Sequence, residues 1–354
     1  MALAIAGGFA GGFGGGLRTT DAAPAGWDAP PCPPAMPGDG ADRGVGWFRL
    51  EPVLDAEGWL VAQEIQLGVM GGATHVALLD AESFASGPRG GRIVIGTDDG
   101  KRSRVHVVDA AAGCAVEAGT RRDVVRSAIL SADGTRLIEH RVDRRSRADL
   151  GVWEVSLAGG HEVRLLAGLP ADEAHGPTFS TVLVDGSEGE LAAVSCGEAA
   201  CRARVLDGSG GVRLTPGIGD PIGLARGALV VYAPCPSLPC GIERIDANGT
   251  RTELMAGAGH AVLAGGDDPS LVVEQPEDPG GHLTVVALDS GAVRAIAGPP
   301  GLRLQPAAHR AFAAAETPAA SVLLARDGRV GGDIAASRLL DVATGRISVP
   351  GEEE

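Results

Sequence analysis

Short apolar runs recur along the whole chain and predict β-strands. Runs such as 105–108 and 229–232 are rich in valine, a β-branched residue that strands favour. Val124 to Leu130 and Arg136 to Val142 flank a turn at residues 131–134, as two strands of a hairpin would. No stretch longer than about ten residues keeps a helical period without a Gly or Pro break. The chain is therefore predicted to be all-β.

A strand, a small turn and a short returning strand form a unit that recurs along the chain. Asp and Gly at the turn are typical of tight hairpins, because Gly adopts positive φ without strain. Consecutive turns are 38 to 54 residues apart, and they centre on Asp55, Asp109, Ser156, Asp207, Asp246, Asp289 and Asp327. A period near 40 to 50 residues is that of a four-stranded propeller blade. We expect one β-propeller of seven blades, with six blades and an extra N-terminal hairpin as the alternative.

The terminal strands are expected to close the ring, since closure removes exposed sheet edges. Four strands remain after the blades are assigned. We predict that they share one blade: Trp47–Leu54, Trp59–Leu67, Ser337–Asp341 and Arg346–Val349.

The stretch Ser-Ala-Asp-Gly-Thr-Arg-Leu at 131–137 is similar to the turn of bacterial TolB-type and WD40-like β-propellers. The resemblance covers roughly residues 47 to 349 and implies their blade architecture, while implying little about activity. The corresponding turn at 185–191 is degenerate, and WD dipeptides are absent from residues 47 to 349.

Six cysteines indicate the compartment. Cys196 and Cys201 enclose four residues, as do Cys235 and Cys240, and the two pairs are 39 residues apart. Cysteines on either side of a short hairpin loop lie opposite one another, so each pair is predicted to form a disulfide. Cys32–Cys114 then follows by elimination. An even count of cysteines suits an oxidising compartment, with reduced cytosolic cysteines as the alternative.

The N-terminal region suggests export. Residues 1–18 form an apolar, Gly-rich leader, or a signal or anchor remnant, too short for a transmembrane helix and without a basic n-region. Residues 19–46 read as a Pro/Gly-rich linker, and 47–350 as the propeller. The expected location is extracytoplasmic, secreted or membrane-anchored, with a possible membrane tether at the N-terminus.

Charge limits the partners. The formal net charge is −15, which repels phosphate backbones, so no nucleic acid partner is expected. Lys101 is the only lysine among 30 basic residues. This arginine preference is typical of a GC-rich genome and by itself predicts little chemistry.

Motifs for catalysis or cofactors are not found in the sequence. It contains no Gly-x-Ser-x-Gly motif, and its eight histidines show no zinc-ligand spacing. The carboxylates at 98–99 and 267–268 suit plain turns better than a calcium site. The Gly-rich stretch 217–223 has no following helix that would hold phosphate. We predict no catalytic residue, no metal and no cofactor.

One basic segment, residues 139–149, stands out on this acidic chain and supplies the candidate ligand-binding residues. It is expected on the loop between the second and third strands of one blade. Arginine presents planar pairs of donors that match carboxylate or phosphate. The alternative is an internal network with Asp123, Asp143 and Asp149. The candidates are His140, Arg141, Arg144, Arg145 and Arg147.

The function expected from these observations is a non-catalytic extracytoplasmic propeller. Its loop face would bind or scaffold an unidentified protein, peptide or cell-envelope ligand. The alternative is a propeller enzyme of the lactonase or lyase type with a metal at the central channel. A purely structural module of an envelope protein is a third hypothesis.

Overall fold

The computed structural model describes a large share of the chain from Gly46 onwards. The predicted leader, residues 1–18, lies outside the described residues, and so does the linker, residues 19–46, apart from Cys32 and Gly46. The described residues are 32, 46–69, 72–131, 133–170, 180–185, 190–196, 201–206, 211–235, 237–265, 268–275, 281–304, 313–315, 321–326 and 337–349.

All regular secondary structure in these ranges is β-strand. The strands form seven four-stranded antiparallel sheets. Sheet 1 pairs, in this order, β25 (Ala313–Ala315), β1 (Gly46–Leu54), β2 (Leu60–Val69) and β3 (Thr74–Asp80). Sheet 2 contains β4 (Phe84–Arg89), β5 (Arg92–Asp98), β6 (Ser103–Asp109) and β7 (Cys114–Arg121). Sheet 3 contains β8 (Val124–Leu130), β9 (Arg136–Val142), β10 (Asp149–Ser156) and β11 (Glu162–Leu166).

The remaining four sheets repeat this pattern. Sheet 4 contains β12 (Ser180–Asp185), β13 (Leu191–Cys196), β14 (Cys201–Leu206) and β15 (Val212–Ile218). Sheet 5 contains β16 (Pro221–Ala225), β17 (Ala228–Tyr232), β18 (Cys240–Ile245) and β19 (Arg251–Ala258). Sheet 6 contains β20 (Ala261–Ala264), β21 (Ser270–Glu274), β22 (His282–Ala287) and β23 (Val293–Ala297). Sheet 7 pairs β24 (Leu302–Leu304), β26 (Ser321–Arg326), β27 (Arg338–Asp341) and β28 (Ile347–Ser348).

The sheets pack face to face in chain order. Six hydrophobic clusters fill the six interfaces between consecutive sheets, from sheets 1 and 2 to sheets 6 and 7. The first strands of neighbouring sheets contact each other, for example β4 with β8 and β12 with β16. Seven antiparallel sheets that pack face to face in chain order, with the first strands of sheets 1 to 6 in contact, form the arrangement of a seven-bladed β-propeller. The expected all-β class and the four-stranded unit are confirmed.

The predicted shared blade of four terminal strands is wrong. β1 and β2 belong to sheet 1, whereas β27 and β28 belong to sheet 7. Each hairpin is completed differently, because β3 pairs with β2 and β26 pairs with β27. The link between the two regions is instead β25, which follows β24 in the chain and pairs with Trp47 to Arg49 of β1.

Each sheet has two ends that differ in their loops. At the connector end lie the loops between second and third strands and the connections to the next sheet. At the hairpin end lie the turns between first and second and between third and fourth strands.

Three disulfides are present, Cys32–Cys114, Cys196–Cys201 and Cys235–Cys240, which are the pairs that the sequence predicts. Cys32 also donates its backbone N–H to Ala115 O at 3.1 Å, so the bridge fastens this residue to β7. Three bridges are typical of a protein from an oxidising compartment. Within the described ranges, no helix has the length and apolar character that crossing a bilayer requires.

Arginines tie consecutive sheets together at the hairpin end. Arg92 of sheet 2 donates to Gly134 O of sheet 3 at 3.3 Å, and Arg213 of sheet 4 donates to Gly227 O of sheet 5 at the same distance. Arg244 and Arg294 reach the backbone carbonyls of Leu288 and Val342 in the next sheet. The arginine content therefore has a structural role that the composition did not indicate.

Candidate functional site

The candidate segment begins on β9, the second strand of sheet 3, which is covered on both faces. Leu137 packs into the cluster shared with sheet 2, and Ile138 packs into the cluster shared with sheet 4. Because side chains alternate along a strand, Glu139 and Arg141 face sheet 2, and His140 faces sheet 4. All three of these polar residues are buried.

The side towards sheet 2 contains a compact ion cluster. Glu139, which is fully buried, accepts from Nε of Arg121 at 3.1 Å and from Nε of Arg141 at 2.8 Å. Arg141 Nη1 also donates to Glu162 at 2.7 Å, and its guanidinium lies 5.0 Å from the ring centre of Trp153. Desolvation by burial lowers the pKa of Arg141, but its bonds to both carboxylates raise it by more. The arginine is therefore a charged member of an internal network.

The side towards sheet 4 holds the second cluster. His140 Nε2 lies 3.0 Å from Oδ1 of Asp149, whose other oxygen accepts from Leu169 N at 2.9 Å and lies 3.3 Å from Arg204 Nη2. Burial lowers the pKa of His140 below 6.5, and this exceeds the opposing effect of Asp149. The imidazole is therefore neutral near pH 7, and its Nε2–H donates to the carboxylate.

His140 and Arg141 thus lie inside the protein and not on the loop surface where the sequence placed them. The reason is that a second strand of a propeller blade is covered from both sides, so its polar residues need internal partners. The network described as the alternative exists for these two residues. Asp149 belongs to it as expected, while its other members are Arg121, Glu139, Glu162 and Arg204.

Arg144 marks the point where the segment reaches the connector end. Its Nη1 and Nη2 each donate to one oxygen of Asp98 at 2.7 Å, and its Nε donates to Arg122 O at 3.1 Å. Asp98 ends β5, Arg122 follows β7, and Arg144 follows β9. Desolvation raises the pKa of Asp98, but the hydrogen bonds from Arg144 and Ser103 lower it by more. One bidentate arginine therefore fastens three loops of sheets 2 and 3 to each other.

Five cations project from these three loops, and we call them the cationic surface. Two nearby carboxylates are turned towards their own backbone: Asp99 accepts from Arg102 N at 2.7 Å, and Asp143 accepts from Ser146 N at 2.6 Å. These bonds fold the loops and leave the cations in solvent. The cationic surface consists of the exposed residues Lys101, Arg102, Arg122, Arg145 and Arg147.

Sequence reasoning missed Lys101 and Arg102 as members of this surface. They are more than 40 residues from Arg145 in the chain, and the adjacent Asp98 and Asp99 mask their charge in a local count. The signal that could have found them is the repeat itself, since both loops follow the second strand of consecutive blades.

Metal ligands are not assembled here. Among the described residues, one group of three brings candidate ligand atoms within 4.8 Å of one another, namely Cys196, Cys201 and Asp220. Its two sulfurs are bonded to each other, so the group offers a single carboxylate. A metal at the central channel stays part of the alternative hypothesis from the sequence.

Comparisons with known proteins give the fold. No protein-family model and no curated protein sequence matches the chain. An oligogalacturonate lyase in complex with manganese is similar over 85% of this chain and 84% of its own, at 12% identity and a TM-score of 0.50. A prolyl endopeptidase structure is similar over 88% of this chain but only 49% of its own, at 14% identity and a TM-score of 0.55.

TolB from Acinetobacter baumannii is also similar, over 87% of this chain and 80% of its own, at 12% identity and a TM-score of 0.40. Similarity at these identities concerns the fold alone, and the assignment rests on the sheet topology and the two higher-scoring structures. The chain has a β-propeller fold, as its resemblance to TolB-type propellers predicts.

Proposed function

We propose that this protein is a non-catalytic, extracytoplasmic β-propeller that binds an anionic partner through the cationic surface. The observation that carries the proposal is the set of bonds made by Arg144, which fasten three cation-bearing loops of two sheets. Loops fixed in this way lose little conformational entropy on binding, so more of the contact energy remains as affinity.

The partner's chemistry follows from the donors. Exposed guanidinium groups pair with carboxylate or phosphate oxygens through two parallel N–H donors. The rest of the molecule carries an excess of carboxylates, as the net charge of −15 requires. An anionic partner is therefore attracted to this surface and repelled elsewhere, which fixes its orientation. The three disulfides support an extracytoplasmic site of action.

Binding to soluble polyanions tests the proposal. Poly-L-glutamate and polyphosphate are titrated into the full chain by calorimetry at low and physiological salt. We expect salt-sensitive binding of at least one of them, weakened about tenfold or more in Arg145→Gln/Arg147→Gln, because each lost cation removes charge-assisted bonds.

The control is Arg136→Gln/Arg226→Gln, which also removes two charges from half-exposed side chains, but at the hairpin end. The control should bind within about twofold of the wild type. The proposal fails if neither polyanion binds, or if both double variants lose the same affinity.

A further inference from the structure

The hairpin between β1 and β2 presents an exposed apolar group at the connector end of sheet 1. Trp59 is 72% exposed and Leu54 is 55% exposed. Leu60 and Val61 continue the group at 38% and 45%. Large apolar side chains grouped in this way mark an interaction site more often than scattered ones do. We call Leu54, Trp59, Leu60 and Val61 the apolar tip.

The apolar tip is held by its own hydrogen bonds. Asp55 Oδ1 accepts from the backbone N–H of Trp59 at 2.7 Å and of Glu57 at 3.1 Å. The N–H of Asp55 donates to Trp59 O at 2.9 Å, and Gly58 takes a φ of 85° that allows the tight turn. The indole is therefore presented to solvent by a closed turn.

The apolar tip and the cationic surface belong to the same end of three consecutive sheets. Gln63 of β2 donates to Ala81 O and Ser83 O, both at 2.8 Å, which ties sheet 1 to its connection with sheet 2. Glu82 of that connection pairs with Arg126 of sheet 3 at 3.3 Å. The loop between second and third strands carries the exposed Trp59 together with Asp55 and Glu57 in sheet 1, whereas in sheets 2 and 3 the corresponding loops carry cations of the cationic surface.

We infer that the connector end of sheets 1 to 3 docks on an anionic lipid surface. Tryptophan prefers the headgroup region of a bilayer, and leucine and valine enter the acyl boundary beside it. Lysine and arginine next to such a wedge attract lipid phosphates. The inference rests on the proposed function, because the lipid phosphate is the anionic partner of the cationic surface. A soluble acidic protein would use the cations but would leave the apolar tip in water.

Two electrostatic features oppose this docking, namely the net charge of the whole molecule and the carboxylate of Glu57. The net charge of −15 is distributed over the whole molecule, and at physiological salt charges farther than about 8 Å are largely screened. Glu57 stands two residues from Trp59 at the apolar tip and repels anionic headgroups directly. Glu57→Gln is therefore expected to strengthen docking.

Vesicle sedimentation of the full chain tests the inference. The probes are vesicles of phosphatidylcholine alone and of equal parts phosphatidylcholine and phosphatidylglycerol. We expect binding to the mixed vesicles, reduced roughly 25-fold in Arg145→Gln/Arg147→Gln and about tenfold in Trp59→Ser. Glu57→Gln should bind about fivefold more tightly. Tryptophan emission should shift to the blue on binding, and the shift should be lost in Trp59→Phe.

Two controls match these variants at the hairpin end. Val293→Ser removes an exposed apolar side chain there, and Arg136→Gln/Arg226→Gln removes two charges. Both should bind mixed vesicles as the wild type does. Circular dichroism confirms that each variant is folded.

The outcomes separate this inference from the proposed function. If polyanions bind but vesicles do not, or if Trp59→Ser binds vesicles like the wild type, the lipid inference is overturned and the proposed function stands. If neither polyanions nor vesicles bind, both are overturned. Equal losses in the hairpin-end controls would show non-specific adsorption and would also overturn the inference.

Discussion

Arginine serves opposite purposes at the two ends of this propeller. At the hairpin end, Arg213 and Arg244 donate to backbone carbonyls of the next sheet. At the connector end, Arg145 and Arg147 extend from a loop into solvent, while Arg144 alone is used to fasten that loop. The same residue type therefore stabilises the packing of neighbouring sheets at one end and forms a surface at the other.

The difference follows from loop geometry. A tight Asp–Gly turn leaves carbonyl groups that the strands do not use, and a long arginine on the adjacent sheet reaches them. The loop after β9 extends beyond the strands, and its own carboxylate, Asp143, is occupied with backbone N–H groups. The cations of such a loop are left for an external partner. Whether an arginine bonds the neighbouring sheet or stays in solvent therefore depends on its loop, which the composition does not show.

Removal of single disulfides is expected to give the largest difference in stability between the two ends. Cys32–Cys114 lies at the hairpin end and spans 82 residues, whereas Cys196–Cys201 lies at the connector end and spans five. Loop-closure entropy predicts a loss of about 4.5 kcal/mol in the free energy of unfolding for Cys32→Ser/Cys114→Ser and about 2 kcal/mol for Cys196→Ser/Cys201→Ser.

Urea denaturation of both double variants measures the two losses. The wild type in the presence of thiol reductant should lose at least as much as the first variant does. If the short bridge contributes more than the long one, chain entropy is not the source of the stability, and the hairpin end is not the better anchored of the two.

Arginine substitutions at the two ends give the next largest difference. Arg213→Met keeps the apolar stem but removes the bonds to Asp246 O and Gly227 O, at an expected cost of about 2 kcal/mol. Arg145→Met at the connector end should change stability by less than about 0.5 kcal/mol. Chemical denaturation compares them directly, and equal costs would contradict the division of roles between the two ends.

The repeat was readable from sequence because each turn is a local event. β8 and β9 have the predicted bounds, since an Asp–Gly turn with flanking alternation needs only neighbouring residues. The same locality explains an error in the landmarks. Asp55 lies between second and third strands, whereas Asp109 ends a third strand and Asp246 lies between third and fourth strands. The landmarks Asp207 and Asp327 lie outside the described residues. Turn chemistry marks a hairpin without saying which hairpin of the blade it is.

Long-range partners were not readable in the same way. β25 is a three-residue strand in an Ala-rich segment, and its pairing with β1 joins residues more than 260 apart. Glu139, His140 and Arg141 are consecutive polar residues, a pattern that is typical of an exposed strand end. Their burial depends on Arg121, Glu162 and Arg204, which come from three other strands.

The buried cluster behind the cationic surface gives the smallest effect, a dependence on pH. The pKa of His140 is about 6.5 in the unfolded chain and lower in the folded protein. At a pH between these two pKa values, the unfolded chain therefore binds a proton that the folded protein does not. Stability is therefore full above about pH 6.5 and falls as the pH drops, with a limiting slope of about 1.4 kcal/mol per pH unit. The pKa of Asp149 lies below 3.8, so the stability that its ionised carboxylate contributes is lost only at lower pH.

Urea denaturation from about pH 7 to about pH 5 measures this slope. His140→Asn should reduce it and leave the part due to His106, whose pKa burial also lowers. Polyanion affinity of the folded protein should stay constant over the same range, because arginine remains charged throughout. A slope unchanged in His140→Asn would contradict the assignment of a neutral histidine. If the polyanion affinity instead fell with pH in parallel with the stability, the buried cluster and the cationic surface would be coupled. The distinction between an internal network and an external surface would then fail.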